Sequence, residues 1–253
     1  MIELKSPDEI ACMRRAGRVV AELLDYLKGY VRAGIRTREM DAESRNFIKR
    51  SGAKPAFLGY RGYPACICVS VNEEVVHGIP GERVIQAGDL VSIDAGAVVD
   101  GFYGDAAISL IVGQASPDAQ KLVDTTRDAL WEGIRQARVG NRLSDISHAV
   151  QLRVEKEKFG IVRDFVGHGI GRAMHEDPPI PNFGAPNMGP RLRAGMVLAI
   201  EPMVTLGDCA VEVLKDGWTA VTKDGSLAAH FEHSIAITDS GVEVLTELAP
   251  VRA

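Results

Sequence analysis

The sequence predicts an α+β fold built from two related halves, and three observations predict it. An acid-ended strand pattern occurs twice: Ala87-Gly88-Asp89-Leu90-Val91-Ser92-Ile93-Asp94 is answered 107 residues later by Ala194-Gly195-Met196-Val197-Leu198-Ala199-Ile200-Glu201. A further acid then opens an apolar strand in each copy, Asp105 before Ala106-Ala107-Ile108 and Glu232 before His233-Ser234-Ile235. In each half the helical patterns precede the strand patterns instead of alternating with them, which separates α+β from βαβ architecture. Four acids at the mouths of duplicated apolar strands point to a site on a pseudo-twofold axis. The halves, about 1–113 and 114–253 of the 253 residues, are expected to fold as one domain around a shared sheet.

The first helix is expected from Pro7, with Ser6 as N-cap and apolar residues at Ile10, Met13, Ala16, Val20, Leu23 and Leu24. A second runs from about Thr37 to Ser51 and ends at Gly52. Ser116-Pro117 opens the matching helix of the second half, with Leu122, Val123, Leu130 and Ile134 on its apolar face. Its partner is expected from Leu143 to Phe159, ended by Gly160. Strands are expected at Cys66–Val71, Leu90–Val99, Phe102–Val112, Val162–Gly167, Met196–Val204 and His233–Thr238. The second half carries extra residues between its acids, and Asp208 to Ser226 reads as an inserted hairpin bearing Trp218.

Composition narrows the function classes. A net charge of −5 and a pI of about 5.7 do not suggest a nucleic-acid-binding surface. No apolar run is long enough to span a membrane, and the N-terminus lacks the apolar core of a signal peptide. A cytoplasmic protein is expected, with a monomer as the default. Cys12, Cys66, Cys68 and Cys209 contain no Cys-x-x-Cys pair, so reduced thiols are expected.

The acids read as a metal site. Asp100-Gly101 is a two-residue hairpin signal, and pairing about it makes Asp94 and Asp105 diagonal neighbours on one face. Two close carboxylates repel unless a proton or a cation joins them. Their neighbours are apolar, and no Lys or Arg lies near in sequence, so a cation fits better than a solvated face. Glu201 and Glu232 form the equivalent pair. Among the imidazoles, His77, His168 and His175 are the candidates; His77 and His168 both precede Gly-Ile in glycine-rich loops. His148 sits mid-helix. His230 and His233 flank Glu232; alternation is expected to put both on the opposite face from it, in structural places or in places that support the ligands from behind. A carboxylate-rich pair of cations favours Mn, Fe, Co or Zn and hydrolytic chemistry.

The order Asp94, Asp105, His168, Glu201, Glu232 resembles the ligand set of the type I methionine aminopeptidases. The surrounding motifs match as well: Val76-His77-Gly78-Ile79-Pro80, Asp100-Gly101-Phe102-Tyr103-Gly104-Asp105, Gly167-His168-Gly169-Ile170-Gly171, His175-Glu176-Asp177-Pro178, Ile200-Glu201-Pro202-Met203 and Phe231-Glu232-His233-Ser234. The resemblance covers essentially the whole chain. It implies the pseudo-twofold pita-bread (creatinase/aminopeptidase) fold, a curved antiparallel sheet covered by two helix pairs. It implies two divalent ions, with Asp94 on one, Asp105 and Glu232 bridging, and His168 and Glu201 completing the other. Glu201 would also shuttle a proton, and His77 and His175 would contact substrate and stabilise the transition state. Tyr60, Tyr63, Cys68 and Trp218 would line a methionine pocket. The implied substrate is the N-terminus of a nascent peptide with a small second residue, met with transient contact to the ribosome surface at most. An N-terminal extension of the kind some relatives carry is not expected to contribute. Met174, Arg61 and Phe57 depart from common family residues and bear on pocket shape.

Three other readings compete. A proline-directed aminopeptidase of the same fold, or a hydrolase of small amidino compounds, is expected to be longer. A non-catalytic binding module of this fold is expected to have lost metal ligands, and all five are present.

Overall fold

Each half begins with a capped helix. In this computed structural model, which describes residues 2–248, α1 (Pro7–Tyr30) starts with a capping box. The Glu9 N–H donates to Ser6 Oγ at 3.3 Å, and the Ser6 N–H donates to the Glu9 carboxylate at 3.0 Å. α2 (Thr37–Arg50) is followed by Gly52 at φ 72°, the left-handed position that ends a helix. In the second half the Ala119 N–H donates to Ser116 Oγ at 3.1 Å to cap α3 (Pro117–Gln136). α4 (Leu143–Glu155) stops short of the expected Phe159, because Lys158 at φ 61° turns the chain before Gly160.

The first half contributes β1 (Lys54–Pro55), β2 (Ile67–Val71), β3 (Glu74–Val76), β4 (Leu90–Val99) and β5 (Phe102–Ile111). The second contributes β6 (Gly160–Ile161), β7 (Gly167–Gly169), β8 (Glu176–Ile180), β9 (Val197–Ile200), β10 (Met203–Thr205), β11 (Val211–Val213), β12 (Ala220–Thr222), β13 (Ala228–His230), β14 (Glu232–Thr238) and β15 (Gly241–Val244). Among the described residues, nine of these form one curved antiparallel sheet ordered β1-β4-β5-β14-β9-β7-β8, with β2 also on β4 and β15 on β14. Smaller sheets, β13-β10-β6 and β11-β12-β3, flank it. α1 and α2 close one apolar cluster over β2 and β4, with Leu23, Leu27, Met40, Ile67 and Ile93 buried. α3 and α4 close a second over β9 and β14, with Leu122, Leu130, Ile146, Leu198 and Ile235 buried. α1 sits directly on β5: a Cβ at Gly104 would stand 2.6 Å from the Gly17 nitrogen, so only glycine permits this approach.

Two expected strands are corrected. Met196–Val204 is not continuous. Pro202 has no N–H to extend the ladder, so β9 stays in the main sheet while β10 pairs with β13 and β6. Val162–Gly167 is mostly loop, because exposed Arg163 and Asp164 carry the chain off the sheet between β6 and β7. The inserted hairpin forms as expected, with Val211 opposite Thr222. Cys12, Cys66, Cys68 and Cys209 are all free. No helix among the described residues is long and apolar enough to cross a membrane.

Candidate metal centre

The register of four strands, β4, β5, β14 and β9, gathers the acids. Asp100 and Gly101 lie at φ 51° and 79°, the conformation a tight two-residue hairpin needs. That turn pairs Asp94 with Ala107 and Gly96 with Asp105, so the two aspartates are diagonal neighbours on one face, as expected. Ala107 also faces Glu232 across β14. One row of the sheet therefore runs Asp94, Ala107, Glu232. The next row runs through Ser234, Ala199 and His168. Glu201 follows Ala199 by two residues and returns to the same face. The floor between the ligating groups is made of Ala107, Ala199 and Ser234, all buried. Small side chains there leave a bowl instead of a filled core.

Backbone clamps hold the bowl's rim. Ser234 Oγ donates to the Asp105 carbonyl at 2.7 Å and accepts from the Asp105 N–H at 3.1 Å, joining β14 to β5. Asn182 Nδ2 donates to the Glu201 carbonyl at 3.0 Å. His168 Nδ1 is 2.9 Å from the Gly169 carbonyl. An Nδ1–H donated there leaves the Nε2 lone pair facing the bowl, as a ligating imidazole requires. That Nε2 lies 3.6 Å from Glu201 Oε1.

The electrostatics ask for a cation. Burial, reinforced by neighbouring carboxylates, raises Asp105 and Glu232 well above the usual carboxylate range. Burial carries Asp94 up to about 7 and Glu201 up to about 8. Burial holds His168 down at about 4, so its imidazole is neutral at physiological pH. Asp94 Oδ1, Asp105 Oδ1, Glu232 Oε1 and His230 Nε2 are buried with no hydrogen-bond partner. Oxygens of this kind beside imidazole nitrogens form the donor set of a divalent transition ion. Asp105, His168 and Glu232 bring donor atoms within 4.8 Å of one another, as do Glu201, His230 and Glu232. The residues present therefore fit a metal.

One residue corrects the sequence reading. His233 does point away, with Nδ1 2.9 Å from Thr246 Oγ1 and its ring against Trp131. His230 does not. It is 2% exposed, and its Nε2 lies 3.6 Å from Glu201 Oε2. Residues two apart on extended chain share a face, so its spacing from Glu232 was the signal that identifies it.

A cavity of about 130 Å³ opens beside the bowl. Asp94, Asp105, His168, Glu201 and Glu232 line its floor; Tyr60, Tyr63, Cys68, Trp218, His77 and His175 line its sides, together with Phe57, Arg61 and Met174. Every site residue expected from the sequence thus lines one cavity. Cys68 stands directly opposite Asp94 on β2. The Tyr63 hydroxyl donates to the Gly78 carbonyl at 2.9 Å, and its ring meets Trp218 edge-on at 5.0 Å. β12 pairs with β3, which brings Trp218 to 6.2 Å from His77. His77 adopts φ 61°, a left-handed conformation uncommon outside glycine and concentrated at functional sites. Four planar groups follow one another in contact: Arg61 lies over Tyr60 at 5.4 Å, Tyr60 stacks on His175 at 5.4 Å, and His175 meets His168 at 4.2 Å with the rings tilted by 39°. The Tyr60 hydroxyl and His175 Nδ1 are 2.9 Å apart.

The profile of metallopeptidase family M24 matches residues 11–239. The chain belongs to metallopeptidase family M24. Methionine aminopeptidase 1 of Bacillus subtilis is 53% identical over 248 residues, covering 98% of this chain and all of that protein. The crystal structure of methionine aminopeptidase from Thermotoga maritima superposes with a TM-score of 0.97 at 49% identity, covering 98% of this chain and 100% of that one. The prolidase of Pyrococcus furiosus shares the fold at a TM-score of 0.79 and 22% identity, but this chain covers only 66% of it. The M24 fold is the pita-bread fold expected from the sequence, and this member is a metallo-aminopeptidase by its full-length kinship.

Proposed function

We propose that the chain removes N-terminal methionine from newly made polypeptides, with a small second residue preferred. One observation carries this: five metal-donor side chains share a cavity with an apolar wall of Tyr63, Cys68 and Trp218. Polarisable thiol and aromatic walls suit a thioether side chain. Family membership and kinship to methionine aminopeptidases of equal length support the reading.

We assign Asp94, Asp105, His168, Glu201 and Glu232 to hold two divalent ions, drawn from Mn, Fe, Co or Zn. Such a pair supplies Lewis acidity at the scissile carbonyl and lowers the pKa of the attacking water. Glu201 is the proton carrier: its carboxylate takes the water's proton and delivers it to the departing amine. His77 and His175 aim N–H groups at the oxygen that gains charge. Burial holds His77 at about 4 and lowers His175, where the Arg61 charge adds to the effect, so both act as neutral donors. Tyr60 sets the His175 ring by its hydroxyl contact and its stack. Tyr63, Cys68 and Trp218 hold the methionine and exclude water. New N-termini place the enzyme in the cytoplasm, as a monomer, with only transient contact at the ribosome surface.

Purified protein supplied with Mn or Co is expected to release methionine from Met-Gly-Met-Met, and to spare the same peptide once its amine is acetylated. Absence of methionine release under both metals sinks the proposal. Turnover confined to Xaa-Pro peptides would favour the proline-directed alternative.

A further inference from the structure

We infer that His230 is a positioning residue for Glu201: its Nε2–H holds one carboxylate oxygen, so that the other stays turned toward His168. The inference rests on the reading of Glu201 as a metal ligand and proton carrier. His168 Nε2 lies 3.6 Å from Glu201 Oε1, and His230 Nε2 lies 3.6 Å from Oε2. The carboxylate is thus bracketed by two imidazoles, one on each oxygen. At 3.6 Å neither contact is a hydrogen bond. A shift of about 0.5 Å brings one within hydrogen-bond distance, and active-site contacts that are long in the free protein tighten on assembly.

The rest of the molecule fixes His230 in place. Its N–H donates to Ser109 Oγ at 2.9 Å, and Ser109 Oγ donates to its carbonyl at 2.8 Å. Ser92 Oγ meets Ser109 Oγ at 2.7 Å, and both serines are buried. On its other side His230 pairs with Met203 in the β10–β13 ladder. Two buried hydroxyls and a ladder therefore hold the backbone of a residue whose ring nitrogen has no partner. An orphaned buried N–H is costly, and the nearby Glu201 oxygen is an acceptor. His168 has its Nδ1 engaged by Gly169 and its Nε2 free to ligate; His230 faces an oxygen and is the donor. The competing arrangement is a cation held jointly by Glu201, His230 and Glu232.

The Co(II)-loaded variants His230→Leu and His230→Gln separate the two, because glutamine restores an N–H at similar reach and leucine does not. For His230→Leu we expect wild-type Co(II) content, an altered visible spectrum, and kcat on Met-Gly-Met-Met lower by ~10–100-fold with KM little changed. For His230→Gln we expect the wild-type spectrum and most of kcat. An unchanged spectrum and kcat in His230→Leu overturns the inference. So does loss of a Co(II) equivalent from both variants, which would make His230 a ligand. If His230→Leu does not fold, His230→Met, as long as glutamine without the N–H, takes its place. The spectrum needs no substrate, whereas the function stands or falls on wild-type methionine release, so the two readings fail separately.

Discussion

A methyl group at position 107 decides how near the carboxylates come. Ala107 lies between Asp94 and Glu232 in one sheet row, and Asp105 is two residues before it. A larger side chain there would fill the space in which four acids converge. These acids oppose folding unless protonated or joined by a cation. Asp105→Ala is therefore expected to lose metal and lower turnover by more than ~100-fold, beyond what loss of a supporting contact costs. Without metal it should melt no lower than wild type, since a buried carboxyl has been removed. Metal analysis and thermal melts check both halves, and full metal content in the variant would refute the proposed place of Asp105 among the ligands. The acids and His168 were legible because each sits in a motif with glycine, proline or an alternating apolar run. His230 was misplaced by taking both neighbours of Glu232 as equivalent, although one is a single residue away and the other two.

At the scale of elements, most local signals held, although Gly160 put the end of α4 too late, and distant ones were silent. Ser6, Ser116 and Gly52 announced helix ends through hydrogen bonds within a turn, and Asp100-Gly101 announced the hairpin through its backbone conformation. β8 went unread because Pro178 and Pro179 weaken a strand pattern; an edge strand tolerates them. Nothing local marks the pairing of Lys5 with Glu176. The Lys5 side chain is almost wholly buried, and its Nζ reaches Glu176 Oε2 at 2.7 Å. Glu176 Oε1 in turn accepts from the Ala173 N–H at 3.1 Å, which secures the turn carrying His175. Lys5→Ala is expected to destabilise the fold by ~3 kcal/mol, the scale for breaking a buried pair, and to lower kcat with metal content unchanged. Urea melts and metal analysis test this; wild-type kcat with the stability loss would make the pair purely structural.

For the whole molecule, the site sets how stability responds to pH. Asp94 and Glu201 rise from ordinary values of 3.8 and 4.5 to about 7 and about 8 in the folded, metal-free chain. Between those limits the folded chain binds more protons than the unfolded one, so stability falls as pH rises. The stabilisation is complete below the ordinary values and lost through about 7 to 8. Bound metal takes the place of those protons, and its affinity grows with pH. Thermal melts in chelator should therefore decline across this window, while melts in Mn should not; parallel curves would contradict the assignment. The α+β class was visible in the order of helical and strand patterns. The break at Pro202 and the departure of the chain at Arg163 and Asp164 depended on which sheet could accept each segment, which spacing alone does not convey.

The sheet order also governs when the protein becomes active during its own synthesis. Asp94 and Asp105 emerge early, but their row is completed by Glu232 on β14, which enters the sheet between β5 and β9. Lys5, made before α1, waits for Glu176. A fragment that ends before Glu232 lacks the full donor set, so the site cannot be assembled until β14 has been made.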